Sequence, residues 1–401
     1  MEVTITITNV WSRISGLTDI ELVDSLDRIT SYYISGYQYS KAFRNGYFDH
    51  KTKQFVHWDG KKHLLSQKMV FPTGLLERIC KFLKRNNVTY TIADERPPVV
   101  CGEQLKIQNI TPRQYQIDAV NVAISKERGI IRMGTGSGKT AVSVMIAASY
   151  NIPTMIYVIG TDLLYQFHKT FSELLGIPIG LIGDGNCIIK KINICSIWTA
   201  ATSFGLKTNV SLDDADWRPE IFSIGSQEKE AIKRAIQNSN LAIFDEAHFL
   251  ATETIQSIFK ASKKCKYLFG MSGTDWRDDG ADLLLESVCG KRIFNMPSSE
   301  LIKQGYLVPP KIVLYDVPEM DIDNSWKYTK LYSNYIVNND VRNSLIEDVA
   351  RKLIDKGRRV LILVRTIAHG KSLQKRISDI PCFFVNGEID GETRNEVKEA
   401  F

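Results

Sequence analysis

Five short apolar runs, GIIRM, PTMIYVIG, INICSIW, NLAIFDEAH and KYLFGMSG, alternate with longer helical segments between residues 129 and 273. Apolar runs this short, with little polar alternation, read as strands buried on both faces. Strands of that kind belong to parallel sheets whose crossovers are helices. The order of elements therefore predicts an α/β fold, a parallel sheet covered by helices. At 401 residues the chain has length for more than that one sheet.

The pattern differs on either side. Residues 1–95 read as a small α+β domain. VTITI is a strand, LTDIELVDSLDRITSYY has helical spacing, TGLLERICKFLKRN is an amphipathic helix opening at Thr73 and closing on Asn86 and Asn87, and VTYTIA is a strand. The prolines and mixed charge of ADERPPVVCGEQ mark a linker at 96–106. The parallel-sheet domain is expected over 107–300, with QEKEAIKRAIQN a solvent-facing helix. A second, truncated α/β domain is expected over 301–401, with RRVLILV and CFFVNG as strands.

Composition limits the functional classes. No apolar run reaches the ~18 residues of a membrane span. The start, MEVTITITNV, lacks the basic–apolar–small order of a signal peptide. A cytoplasmic protein without a membrane partner is expected. Seven scattered cysteines without a CxxC pair point to free thiols, not disulfides or zinc. A net charge of +6 permits an anionic partner without demanding one.

The chemistry begins at RMGTGSGKTA, residues 132–141, between a strand and a helix. Glycines let backbone N–H groups close around a phosphate, and the helix N-terminus adds the positive end of its dipole. The expected nucleotide contacts are Gly134, Thr135, Gly136, Ser137, Gly138, Lys139 and Thr140. Lys139 would reach the β- and γ-phosphates, and the Thr140 hydroxyl would ligate Mg²⁺. The loop's first position is Met133 where Gly or Ala is usual, which bears on entry geometry and not on the Lys–Thr chemistry. Asp245 follows four apolar residues, so it belongs at the carboxyl end of a buried strand, where open α/β sheets bind ligands. There it would hold Mg²⁺ through a water, with Glu246 beside it to orient or deprotonate the attacking water. Lys139, Asp245 and Glu246 are the candidate catalytic residues, with ATP and Mg²⁺ the implied cofactors.

GTGSGKT followed by DEAH and then SGT resembles the superfamily 2 DEAH-box helicases and translocases. The likeness covers about residue 110 to the end and implies two RecA-like parallel-sheet domains, the second incomplete here. It implies that Arg113, Tyr115 and Gln116 of TPRQYQIDAV read or flank the adenine. It implies that His248, Ser272, Gly273 and Thr274 couple hydrolysis to domain movement. VIGTDLLYQ and ICSIWTA resemble motifs that touch the nucleic-acid backbone, which implicates Thr161, Gln166, Trp198 and Thr199. VLILVRTIAHGKSL resembles a further motif and implicates Arg365 and His369. FRNGYFD and FPTGL resemble the N-terminal domain of phage UvsW-type helicases, such as the one carried by phage T5, which branch-migrate and unwind DNA junctions. Branched or forked DNA is thus the implied partner, with no obligate protein partner evident.

Without that resemblance the N-terminal stretch still has a chemistry. Lys41 to Lys68 holds seven Lys or Arg against two Asp, interleaved with Phe43, Tyr47, Phe48, Phe55 and Trp58. Cations neutralise phosphates and aromatic faces stack on unpaired bases. Arg44, Lys51, Lys53 and Trp58 are candidate nucleic-acid contacts, although some of these rings are expected to form the core of so small a domain. An RNA helicase, an ATP-switched DNA-binding protein and a restriction-type translocating subunit are the alternatives. The arginine motif that such enzymes carry late in the second domain does not occur between Gln304 and Phe401. The expectation is a chain without its natural C-terminal part, binding ATP but hydrolysing it slowly.

Overall fold

A computed structural model describes residues 3–49, 53–206, 225–247, 253–273, 282–318 and 325–387, with isolated positions beyond. The chain divides at Pro309–Pro310 into two compact units.

The first unit holds two main sheets. The smaller has the order β7-β2-β1-β8, built from β1 (Val3–Ile7), β2 (Trp11–Ser15), β7 (Val70–Pro72) and β8 (Tyr90–Asp94). Val3, Ile5 and Ile7 point inward along β1, as period-two alternation requires. They meet Leu26 of the helix Ile20–Ile29 and Leu75, Ile79 and Leu83 around the helix Leu76–Arg85. Short hairpins pair β3 (Ser31–Tyr33) with β6 (Lys61–His63), and β4 (Tyr47–Asp49) with β5 (Gln54–Val56).

The larger sheet has eight strands in the order β12-β11-β13-β10-β14-β15-β9-β16. They are β9 (Arg128–Met133), β10 (Thr154–Val158), β11 (Gly180–Gly183), β12 (Asn186–Ile188), β13 (Ile192–Ser196), β14 (Leu241–Phe244), β15 (Tyr267–Ser272) and β16 (Arg292–Met296). All neighbours are parallel except β11 and β12. That hairpin turns on Asp184 and Gly185, both at positive φ, the backbone that a two-residue hairpin loop needs. Helices cover both faces. Lys139–Tyr150 and Thr161–Leu175 bury Val144, Ile146, Phe167 and Phe171 on one. Ile197–Ser203, Ser226–Asn238 and Glu253–Ala261 bury Trp198, Ile232, Ile236 and Phe259 on the other. Ser226–Asn238, expected to face solvent throughout, is docked by Ile232 and Ile236 one turn apart. Among the described residues no helix is long and apolar enough to cross a membrane. All seven cysteines are free; burial pushes the Cys265 thiol up to about 12.

The two sheets are joined by close backbone contact. A Cβ on Gly74 would sit 2.2 Å from the Glu286 carbonyl oxygen and 2.4 Å from that of Ser287, on the helix Asp282–Cys289. Arg78 Nε donates to Glu286 Oε1 at 3.1 Å, and Lys291 pairs with Glu77. Asn9, in the β1–β2 turn, donates through Nδ2 to the Lys263 carbonyl at 3.0 Å. Its own carbonyl accepts from Arg128 Nη2 at 2.9 Å. Arg128 is half-buried, and desolvation of its guanidinium lowers its pKa.

The second unit contains the helices Asp340–Asp355 and Ile367–Arg376. They are capped by Asn339 and Thr366, whose side chains accept from the Arg342 and His369 N–H groups. The segments read as strands, 358–364 and 382–387, form no ladder among the described residues, and Leu361, Leu363 and Phe383 are exposed. An apolar run sets how a strand would be buried once paired; it does not supply the neighbouring backbone that makes the ladder.

Gly74→Ala drives a methyl into two backbone carbonyls and should cost about 1–3 kcal/mol, the range for overpacking. The measurement is the urea midpoint of the whole chain. An unchanged midpoint would mean that the Thr73–Leu75 turn does not sit against the Asp282–Cys289 helix.

Candidate functional site

Between Met133 and Lys139 the chain leaves β9 and enters a helix. The Met133 side chain is buried in the core, so its departure from Gly or Ala leaves the loop undisturbed. Gly136 and Gly138 have φ of 79° and 83°, a backbone that side chains rarely adopt. A Cβ on Gly134 would sit 2.3 Å from Ser298 Oγ, and one on Gly138 would sit 2.4 Å from Gln116 Nε2. Thr135 and Gly136 are exposed at the tip, Lys139 and Thr140 half-buried. Lys139 Nζ lies 3.5 Å from the Met133 carbonyl, and a Cβ on Gly273 would be 3.1 Å from it. The ammonium thus lies over the ends of β9 and β15. Ser137 Oγ is buried without a partner among the described residues. A glycine-rich cradle, a lysine above it, an orphaned hydroxyl and a helix N-terminus fit a phosphate chain.

The segment before the loop holds it in place. Tyr115 OH and Gln116 Nε2 both donate to the Ser137 carbonyl, at 2.8 and 2.9 Å. Gln116 Oε1 accepts from the Arg113 N–H at 2.9 Å, so both ends of this amide are used within the protein. Its observed work is to brace the loop. Arg113 Nη1 donates to Tyr115 OH at 2.9 Å, and its guanidinium lies 4.6 Å from the centre of the Tyr306 ring. Tyr306, 40% exposed, also meets Tyr115 edge-on at 5.3 Å, and neighbouring Leu307 lies beside Gly136. Tyr306 carries no sign of this role in the sequence. A tyrosine in GYLVPP has no spacing that links it to a loop far upstream.

Asp245 and Glu246 follow β14, and Ser272 and Gly273 end β15, which lies between β14 and β9. The acids and the loop therefore share the carboxyl edge of one sheet, two strands or about 10 Å apart. Thr140 and Asp245 are the side chains at this edge that would hold Mg²⁺. The Asp245 N–H donates to the Tyr157 carbonyl at 3.0 Å. Glu246 has φ of 54°, unusual for a residue with a side chain and of a kind that gathers at functional sites. His248 and Thr274 lie outside the described residues, as does Lys51.

The nucleic-acid candidates separate. Arg44 and Lys53 are exposed, Arg44 with Nε on the Gln38 carbonyl at 2.7 Å. Trp58 is half-buried, its Nε1 donating to the Lys61 carbonyl at 2.8 Å. Tyr47, Phe48 and Phe55 are exposed. The expectation that some of these rings form the core is corrected, because that core is aliphatic around Phe71. Thr161 and Gln166 are exposed, and Thr199 is half-buried. Trp198 is only 8% exposed inside the main core, so the contact expected of it is corrected to a packing role. In the second unit Arg365 is exposed and donates to Tyr328 OH at 3.0 Å. His369 is 3% exposed, with Nε2 2.9 Å from Asn343 Oδ1. Burial, reinforced by the Arg342 charge, lowers its pKa, so at this burial it is a helix-packing residue and not a phosphate contact.

Comparison with known proteins agrees with this geometry. Residues 109–276, under half of the chain, match the family described as Type III restriction enzyme, res subunit. The ATP-dependent DNA helicase uvsW of Enterobacteria phage T4 is 25% identical over 394 residues, 92% of this chain and 72% of that protein. The chain is an ATP-hydrolysing relative of the superfamily 2 helicases. The DNA 3'-5' translocase XPB2 of Sulfurisphaera tokodaii is 29% identical over 218 residues, but the chain spans only 42% of its length. Helicase D10 of Escherichia phage T5 is 24% identical over 234 residues, so it too is a distant relative. The crystal structure of T4 UvsW matches all of this chain over 78% of its own, with a TM-score of 0.55 at 20% identity. That likeness establishes the fold, a RecA-like parallel sheet preceded by a small N-terminal sheet domain.

Glu246→Gln should lower turnover by ~10²–10⁴-fold, the worth of a general base, while nucleotide still binds. Lys139→Ala should lose binding and turnover together. Near-normal turnover in the Glu246→Gln protein would remove Glu246 from the chemistry. Tyr306→Ala frees the guanidinium of Arg113 and should raise KM for ATP by several-fold, the worth of about 1 kcal/mol of cation–π contact, with kcat little changed. Steady-state kinetics of Tyr306→Phe, which keeps the ring, should match the parent.

Proposed function

We propose that this chain is an ATP-driven DNA helicase or translocase that acts on branched DNA, forks or junctions, in phage replication, recombination or repair. One observation carries the reading. The phosphate cradle and acidic pair share a compact unit with an N-terminal domain whose basic residues and aromatic rings face solvent. In this reading residues 1–95 recognise DNA and the parallel-sheet domain hydrolyses ATP. Arg113, Tyr115 and Gln116 border the base, the 134–140 loop and Lys139 hold the phosphates, and Thr140 and Asp245 hold Mg²⁺. Glu246 takes a proton from the attacking water. Ser272 and Gly273, beside Lys139, sense the loss of the terminal phosphate. Bound Mg²⁺ supplies charge neutralisation between the phosphates. The preference for branched DNA is supported by the UvsW-like N-terminal residues.

The test compares ATPase rates with forked DNA, linear duplex, single-stranded DNA and RNA. Forked DNA should stimulate most. Equal or greater stimulation by RNA would favour an RNA helicase, and ATP binding without stimulation by any nucleic acid would favour a switch. Changing Arg44, Lys51 and Lys53 together to Ala should weaken fork binding and flatten its dependence on log salt by up to about 2–3 units. Each lost phosphate contact removes roughly 0.7–0.9. Unchanged affinity and slope would make the basic stretch a solvated face.

A further inference from the structure

Beside the Gly74 contact the two sheets of the first unit part, leaving a cleft of about 720 Å³. That is the size of a small-ligand site. Val10, Trp11 and Pro72 line it from the small sheet, with Lys62 and His63 from β6. Gln256, Phe259 and Lys260 line it from the helix Glu253–Ala261. None of these residues belongs to the ATP site.

Three features of the lining define its chemistry. Trp11 is 39% exposed, a large aromatic surface left inside a concave wall. The Lys260 ammonium lies 5.8 Å from its ring centre, so a cation and an aromatic face are offered together. Gln256 is only 9% exposed, yet its Nε2 has no hydrogen-bond partner among the described residues. A buried donor left unpaired is costly, and an acceptor entering the cleft removes that cost. His63 Nδ1 lies 2.7 Å from Asp27 and its Nε2 3.1 Å from Asp59, while the lining itself carries Lys62 and Lys260 and no carboxylate. The lining as a whole therefore favours an anion. An aromatic platform, cations beside it and an amide donor at depth match one unit of single-stranded nucleic acid: base, phosphodiester and base edge.

We propose that this cleft binds an unpaired nucleotide of the DNA substrate. The base lies against Trp11, the phosphate beside Lys260 and Lys62, and the base edge toward the Gln256 amide. The proposal rests on the DNA reading above and adds a site away from the ATP edge. It would let the enzyme hold a displaced strand where the small sheet meets the motor sheet.

The test uses the whole chain and a fork with one single-stranded arm, with binding read by fluorescence anisotropy and ATP affinity measured alongside. Trp11→Ala should weaken fork binding roughly 5- to 150-fold, the worth of one stacked base, with ATP affinity unchanged, and Trp11→Phe should restore most of it. Gln256→Leu and Lys260→Glu, placed on the other wall, should weaken it too, which separates loss of the site from misfolding of the small sheet. A 4-thiothymidine in the single-stranded arm should photocross-link to the peptide bearing Trp11 or Gln256. Parental fork binding by all three loss variants, with no such cross-link, overturns the cleft and leaves the DNA reading standing. Failure of the parent to bind any fork overturns both.

Discussion

One backbone oxygen organises the nucleotide edge. The Ser137 carbonyl accepts from both Tyr115 OH and Gln116 Nε2, and Gln116 in turn accepts from the Arg113 N–H. A loop that wraps an anion must shed its side chains, because a Cβ at Gly134 or Gly138 would strike Ser298 or Gln116. Having few side chains, it holds its shape with little of its own beyond the Ser137 N–H on the Gly134 carbonyl at 3.1 Å. The brace comes from outside, from a segment some twenty residues earlier, and the same residues turn Arg113 toward Tyr306. The Arg113–Tyr306 contact and the loop geometry are thereby one network, not two independent features.

The second constraint is the direction of the strands. Because β14, β15 and β9 run parallel, everything that follows them emerges at one edge. Asp245, Glu246, Ser272, Gly273 and the loop meet there although they lie far apart in the chain. β15 sets the spacing between acid and lysine by lying between them. The positive φ at Glu246 fits the same logic, since the chain must turn sharply where the strand stops.

What was legible in the sequence follows from how local each signal is. GSGKT between an apolar run and a helix carries its whole argument within ten residues, and the five apolar runs carry theirs within each run. VTITI alternates, and Val3, Ile5 and Ile7 are the buried set. Gly180–Gly183 and Arg292–Met296 were missed because a short strand with two glycines, or with an arginine and an asparagine, lacks an apolar signature. Their membership is decided by neighbours such as β13 and β9. Trp198 and His369 misled for a related reason. Polar motif context suggested a surface, but burial is settled by which layer covers a helix, and ICSIWTA does not show that layer. Ile232 and Ile236 supplied a two-residue stripe too thin to stand out among the charges around it.

The junction at Arg128 joins the small sheet to a strand and not to a loop. The guanidinium of Arg128 grips the Asn9 carbonyl at the start of β9, and at the end of that strand the Met133 carbonyl faces Lys139. A strand locked between two parallel neighbours is nearly inextensible along its axis. A pull on the small sheet would thus be carried along β9, beside the edge strand β16, to the Gly134–Gly138 loop. The small sheet is in this sense a handle on the larger one: a load applied to it would reach the loop along β9 as well as through the Gly74 and Arg78 contacts with the helix Asp282–Cys289.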